Sequence, residues 1–115
     1  MNAVCLIVYP ASDVPRATKL FTAWLGTEPY AESGYYVGFK TGDVEIGLVP
    51  AAAQPGISGA LAYVDVSDIN GALATLLAAG AEKVKDVTDV ANGLLVAIVK
   101  DPDGTPIGLR QYPKS

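Results

Sequence analysis

The chain has 115 residues, half of them apolar and 17% charged, with a formal net charge of −4 and no histidine. That length builds one domain with a real core. Eight basic residues in no cluster exclude a phosphate-backbone partner, and the apolar runs are too short to span a bilayer. The missing histidine removes the commonest neutral-pH acid–base group and the commonest metal ligand together. One cysteine, Cys5, cannot form an internal disulfide, and Met1-Asn2-Ala3 lacks the basic start of a secretory leader. Both lead to the expectation of a cytoplasmic protein.

In chain order, Val4 to Tyr9 is a β-branched run predicted as a buried strand that ends at Pro10. Ser12-Asp13 offers an N-cap and Pro15 suits a first helical turn. Val14, Ala17, Leu20, Phe21, Trp24 and Leu25 follow at helical spacing, closed by Gly26, and Trp24 is assigned to the core. A short strand and turn are expected between Glu28 and Ser33. Tyr35–Phe39 and Val44–Val49 read as a hairpin around Lys40–Asp43. A tight turn would set Phe39 against Val44, Val37 against Ile46 and Tyr35 against Leu48 on one apolar face. The other face then carries Tyr36, Gly38, Glu45 and Gly47.

After the small, turn-forming stretch from Pro50 to Gly56 the pattern restarts. Ala60–Val66 reads as a strand, Ser67-Asp68 as a cap, and Ile69, Ala72, Leu73, Leu76 and Leu77 as a helical stripe closed by Gly80. Strands are expected over Val84–Val87 and Leu94–Val99. The Asp101-Pro102-Asp103-Gly104 turn leads into a last strand, Pro106–Gln111, and Tyr112–Ser115 reads as a tail.

Strand, helix and three strands therefore occur twice. The Ser-Asp caps recur, and Ile46-Gly47-Leu48 returns as Ile107-Gly108-Leu109, so the chain reads as an internal duplication. The expectation is a single α+β domain of two βαβββ modules, residues 3–50 and 59–112, joined by a linker over 51–58. One helix backs each sheet, and the sheets curve around a cleft. Tyr36, Glu45, Gly47, Tyr63, Asp65, Gly108 and Arg110 share the parity that faces this cleft, which makes them the candidate ligand-binding set.

The Ser-Asp-capped helix ending in Leu-Gly and the D-P-D-G-x-x-I-x-L close resemble the vicinal oxygen chelate superfamily, the glyoxalase, bleomycin-resistance and extradiol-dioxygenase group. The resemblance covers nearly the whole chain. It implies that each module would give a metal one ligand from its first strand and one carboxylate from its last. Carried onto this chain, those positions are Leu6 (or Val4 or Cys5 if Pro10 marks a bulge), Gly47, Leu61 and Gly108, and none of Leu6, Gly47, Leu61 and Gly108 can hold a metal. Glu45 and Asp65 remain nearby but lie off the ligand positions.

With the metal set missing, the predicted protein is a metal-independent binder of a small organic ligand, possessing no cofactor and sequestering a toxic or antibiotic molecule. No phosphate loop, dinucleotide fingerprint or nucleophile elbow is present. Cys5 has no histidine to activate it and reads as a structural thiol. The alternative is a lyase, isomerase or dioxygenase-like enzyme of the same superfamily, using either a metal held by unexpected oxygens or a carboxylate and a tyrosine as acid and base. A third reading is a subunit-interaction domain whose cleft is filled by its own side chains. A homodimer is expected, with neither nucleic acid nor membrane as partner.

Overall fold

Both helices begin where a short acidic side chain replaces the missing helical acceptor. In the computed structural model, which describes residues 1–113, Asp13 Oδ1 accepts the Arg16 N–H at 3.0 Å and Asp68 Oδ1 accepts the Gly71 N–H at 3.1 Å. The expected tail therefore passes outside the described residues at Lys114 and Ser115. The elements are β1 (Val4–Ala11), α1 (Val14–Leu25), β2 (Ala31–Glu32), β3 (Val37–Thr41), β4 (Val44–Pro50), a 3-10 turn (Ala51–Ala53), β5 (Leu61–Asp65), α2 (Ile69–Ala78), β6 (Glu82–Ala91), β7 (Leu94–Lys100) and β8 (Pro106–Gln111). This is the expected α+β order, βαβββ written twice. The chain divides into two compact units, Cys5–Leu61 and Met1–Val4 with the chain from Ala62 onward.

In the first unit the strands lie in the order β2-β3-β4-β1, with β1 parallel to β4 and the others antiparallel. The β3–β4 hairpin turns on Gly42 and Asp43 alone, with Gly42 at φ +69°, so Thr41 faces Val44, Phe39 faces Ile46 and Val37 faces Leu48. That register is two residues from the expected one, because the turn takes two residues and not four. An even shift keeps every side chain on its expected face. Tyr35 is the exception. It sits in the turn before β3, 85% exposed, and not on the apolar face.

Val37, Phe39, Ile46 and Leu48 form the buried core of this unit, and Val14, Ala17, Phe21 and Leu25 of α1 pack onto it. Leu20 and Trp24 do not, being 66% and 62% exposed. The expected six-residue stripe is wider than one sheet can cover. At 3.6 residues per turn Trp24 lies about 60° round the helix from Phe21. Its ring only edges against Phe21, at a centroid distance of 5.5 Å. Pro10 also departs from expectation. It stays within β1, in register with Val49.

The second unit repeats the topology as β6-β7-β8-β5, with β5 parallel to β8. Ile69 and Leu73 of α2 are buried against Ala97, Val99 and Leu109. The Ile69 N–H donates to Gln111 Oε1 at 2.7 Å, which ties the start of α2 to the end of β8. β6 is much longer than the predicted Val84–Val87, running over ten residues with register shifts along it. It turns into β7 on Asn92 and Gly93, both at positive φ (51° and 89°).

Candidate functional site

The candidate residues fall into two groups, one in each unit. In the first, Glu45 and Gly47 stand on one face of β4, opposite the face that α1 covers, and Gly38 of β3 lies directly across from Gly47. The approach to β3 is a turn held by Ser33. Its N–H donates to the Tyr36 carbonyl at 2.9 Å, and its hydroxyl oxygen accepts the N–H groups of Tyr35 and Tyr36 at 3.2 and 3.1 Å. This turn sets the Tyr36 ring back over the hairpin.

The ring comes to rest on the two glycines. A Cβ at position 47 would stand 2.5 Å from Tyr36 Cε1, and one at position 38 would stand 2.8 Å from both Tyr36 Cε2 and Tyr30 Cε1. Only residues without a side chain permit that approach. The glycines therefore seat aromatic rings. Tyr30 is aligned by its own N–H, which donates to the Gly38 carbonyl at 2.9 Å.

Both phenols then converge on one atom. Tyr30 donates to Glu45 Oε2 at 2.6 Å, and Tyr36 donates to the same oxygen. Hydrogen bonds to an ionised carboxylate are about twice as strong as neutral ones. Lys40 faces Glu45 in the ladder, yet its ammonium lies 4.7 Å over the Tyr30 ring and makes no ion pair with the carboxylate. The result is a carboxyl group gripped at one oxygen by two phenols.

The second group repeats the seating of a ring on a glycine. Tyr63 and Gly108 are neighbours on the parallel strands β5 and β8, and a Cβ at position 108 would meet Tyr63 Cδ2 at 2.5 Å. One step along, Asp65 and Arg110 are also neighbours. Arg110 Nε and Nη2 donate to Asp65 Oδ1 and Oδ2 at 2.6 and 3.1 Å, a two-point pair. The guanidinium also lies 4.8 Å over the Tyr112 ring, and the Arg110 side chain is only 13% exposed. A pocket of about 380 Å³ beside this pair is lined by Asp65, Val66, Ser67, Gln111 and Tyr112. A larger one, about 570 Å³, lies on the α2 side of the same unit, among Ala62, Val64, Ala72, Leu76, Ile107 and Leu109. Its lining is mostly apolar, with Asn2 and Thr75 among it, and takes in Gly108 but none of the predicted polar groups.

Parity thus placed Tyr36, Glu45 and Gly47 together, and Tyr63, Asp65, Gly108 and Arg110 together. It missed Tyr30, which lies in a loop and reaches Glu45 across fifteen positions of sequence. The available signal was the pair of facing glycines in the hairpin, which calls for a large ring from elsewhere.

The family's metal does not fit these residues. Leu6 and Leu61, at the first-strand positions, are buried apolar side chains, and the last-strand positions are glycines beneath tyrosine rings. Among the described residues no group of three or more histidine, cysteine, aspartate and glutamate side chains is placed to hold an ion. No helix is long and apolar enough to cross a membrane.

The family model described as the Glyoxalase/Bleomycin resistance protein/Dioxygenase superfamily matches residues 5–109. No curated protein matches the chain. Among solved structures, a glyoxalase/bleomycin resistance protein/dioxygenase superfamily member from Vibrio splendidus is similar at 20% identity and a TM-score of 0.71, covering 97% of this chain and 100% of that one. A structure described as an NAD-dependent benzaldehyde dehydrogenase from Legionella pneumophila reaches a TM-score of 0.78 at 13% identity, over 94% of this chain and 98% of the other. A methylmalonyl-CoA epimerase from Streptomyces coelicolor reaches 0.70 at 13% identity, over 97% and 95%. At these identities the likeness is one of fold.

Proposed function

The chain belongs to the glyoxalase/bleomycin resistance protein/dioxygenase superfamily, and within it we propose a metal-independent binder that sequesters a small organic ligand, of the toxic or antibiotic kind, without turning it over. The observation that carries this reading is the seating of Tyr36 on Gly47 and of Tyr63 on Gly108. At the two places where the family's metal carboxylates are expected, this chain places aromatic rings, and the half-buried Tyr36 is the one with surface to offer, since Tyr63 is buried. Around them stand a few fixed polar groups, Glu45 with Tyr30 and Tyr36 in one unit and Arg110 with Asp65 in the other. Aromatic surface with sparse, oriented polar atoms is what holds an uncharged or weakly polar organic molecule. The protein acts in the cytoplasm, as a homodimer, and needs no cofactor.

The test is native mass spectrometry with metal analysis on untreated protein, followed by equilibrium titration of any molecule it carries. Recovery of the titrated molecule unchanged supports sequestration. A stoichiometric transition metal in the untreated protein would end the proposal.

One observation favours a second reading, an enzyme of the lyase or isomerase kind. Two phenol hydroxyls meet at the Glu45 Oε2 acceptor, an arrangement able to move a proton without a metal. Product formation that disappears in Glu45→Gln, with binding retained, would select it.

A further inference from the structure

The two units fill the same place beneath their helices with different side chains. Their strand ladders set the correspondence. Ile7 and Tyr9 of β1 face Ile46 and Leu48 of β4, as Ala62 and Val64 of β5 face Ile107 and Leu109 of β8. Phe39 faces Ile46 as Val99 faces Ile107. On the helices, Phe21 and Leu76 stand at the same distance from the capping Asp13 and Asp68. In the first unit Tyr9, Phe21 and Phe39 gather three rings, with centroids 4.9 Å apart for Tyr9 and Phe21 and 6.4 Å apart for Phe21 and Phe39. The second unit has Val64, Leu76 and Val99 at these positions, and Ala62 where the first has Ile7. Every exchange is to a smaller side chain. α2 has not settled inward to make up the loss, because the pocket of about 570 Å³ lies at this place, with Ala62, Val64 and Leu76 in its lining.

We propose that this pocket binds a small uncharged aromatic molecule, whose ring takes the place that the Tyr9 and Phe21 rings hold in the first unit. The first unit itself demonstrates that rings fit between such a helix and such a sheet. Apolar space that packing leaves open accepts a ring of matching size, and the volume is that of a small-molecule site. Among the described residues no charged side chain lines the pocket, so an ionised ligand would lose its hydration without a counter-charge. Thr75 stands where α1 has Leu20, and its hydroxyl donates to the Gly71 carbonyl at 3.0 Å. Toward a ligand that hydroxyl oxygen is an acceptor, which favours a ring bearing an N–H or O–H. Neutral arylamines and phenols are the class. Ala62 and Val64 alternate along β5 with Tyr63 and Asp65, so the pocket lies on the opposite sheet face from those two and is additional to the ligand site proposed above.

Titration with N-phenyl-1-naphthylamine, an uncharged arylamine that fluoresces in apolar surroundings, tests it. One molecule should bind per chain at about micromolar concentration, with nuclear Overhauser contacts from its rings to the methyl groups of Ala62, Ala72 and Leu76. Val64→Tyr with Leu76→Phe, which writes the first unit's rings into the second, should weaken binding at least about 30-fold while the melting temperature is kept or raised. If that pair disrupts the fold, Ala62→Ile alone narrows the pocket from the sheet side and should weaken binding in the same sense. The 1-naphthoate anion should bind at least about tenfold more weakly than the arylamine. Absence of saturable binding, contacts to other methyl groups, or full affinity in the folded filled variants would overturn the site. Equal affinity for the anion would overturn the ligand class. Uptake per chain that falls as the protein is concentrated would show a second copy in the pocket and refute a small-molecule occupant.

Discussion

The Tyr36 ring lies so close to Gly47 that a Cβ there would stand 2.5 Å from Tyr36 Cε1, and Tyr63 bears the same relation to Gly108. The two seats differ in how easily they yield. At Gly47 the clashing atoms are the far end of a half-buried ring, which can swing outward at the cost of its bond to Glu45. At Gly108 they include Tyr63 Cγ, the base of a ring that is 4% exposed. Gly47→Ala should therefore cost about 1 kcal/mol, the net worth of one half-exposed hydrogen bond. Gly108→Ala should cost more, up to about 3 kcal/mol for an overpacked site. Urea denaturation of the two variants checks the order. A costlier Gly47→Ala would mean that Tyr36 is the more rigid ring.

The shared acceptor at Glu45 makes its partners interdependent. Tyr36→Phe and Glu45→Gln, made singly and together, should show a coupling free energy of about 0.5–3 kcal/mol in a double-mutant cycle. Tyr30→Phe should couple less strongly, because Tyr30 is 51% exposed and water can replace its hydroxyl. Strict additivity for Tyr36 and Glu45 would show that the bond adds nothing to stability.

At the start of α2, two substitutions should fail to add. Alanine at position 71 would gain about 1 kcal/mol in helix propensity over glycine. Its Cβ, however, would stand 2.5 Å from Asp68 Oδ2 and displace the cap. Losing that cap costs about 1 kcal/mol. Gly71→Ala should thus be near neutral in the native chain and stabilising by about 1 kcal/mol in an Asp68→Ala background. Thermal melts of the four proteins decide it.

Asp86 gives a pH signature. Its carboxylate accepts from Lys83 Nζ at 3.0 Å and from the Val87 N–H at 2.8 Å, and these, with the lysine's charge, hold its pKa below the usual aspartate value. A depressed carboxylate pKa stabilises the fold above the unfolded-state value, and that share is lost as pH falls through the folded one. Asp86→Asn should accordingly lose less Tm than the native chain between pH 5 and pH 2, while differing little from it in acid. Calorimetry across that range measures the difference, and parallel acid curves would show that the ion pair contributes nothing.

What was legible in the chain was local or periodic. Asp13 and Asp68 announce their helices by chemistry within three residues, and Pro106–Gln111 emerges with its predicted limits because a turn of fixed chemistry precedes it. The face shared by Glu45 and Gly47 follows from strand alternation alone. Trp24 escaped because periodicity finds an apolar stripe without saying how much of it a sheet will cover. Tyr30 escaped because no pattern inside a loop tells where its ring will land. β6 was cut short since its charges interrupt the alternation that marks a strand, and its register shifts are invisible before pairing is known.

Those shifts have a consequence for how molecules meet. β6 is the outermost strand of its sheet, and its ladder breaks step between Lys83 and Lys85, between Lys85 and Thr88, and between Asp89 and Ala91. A foreign segment laid along that margin would find donors and acceptors out of phase every few residues, with Lys83, Lys85, Asp86 and Asp89 in its way. Fibril growth by that route is blocked at its first step, and concentrated solutions should stay clear of thioflavin-positive material.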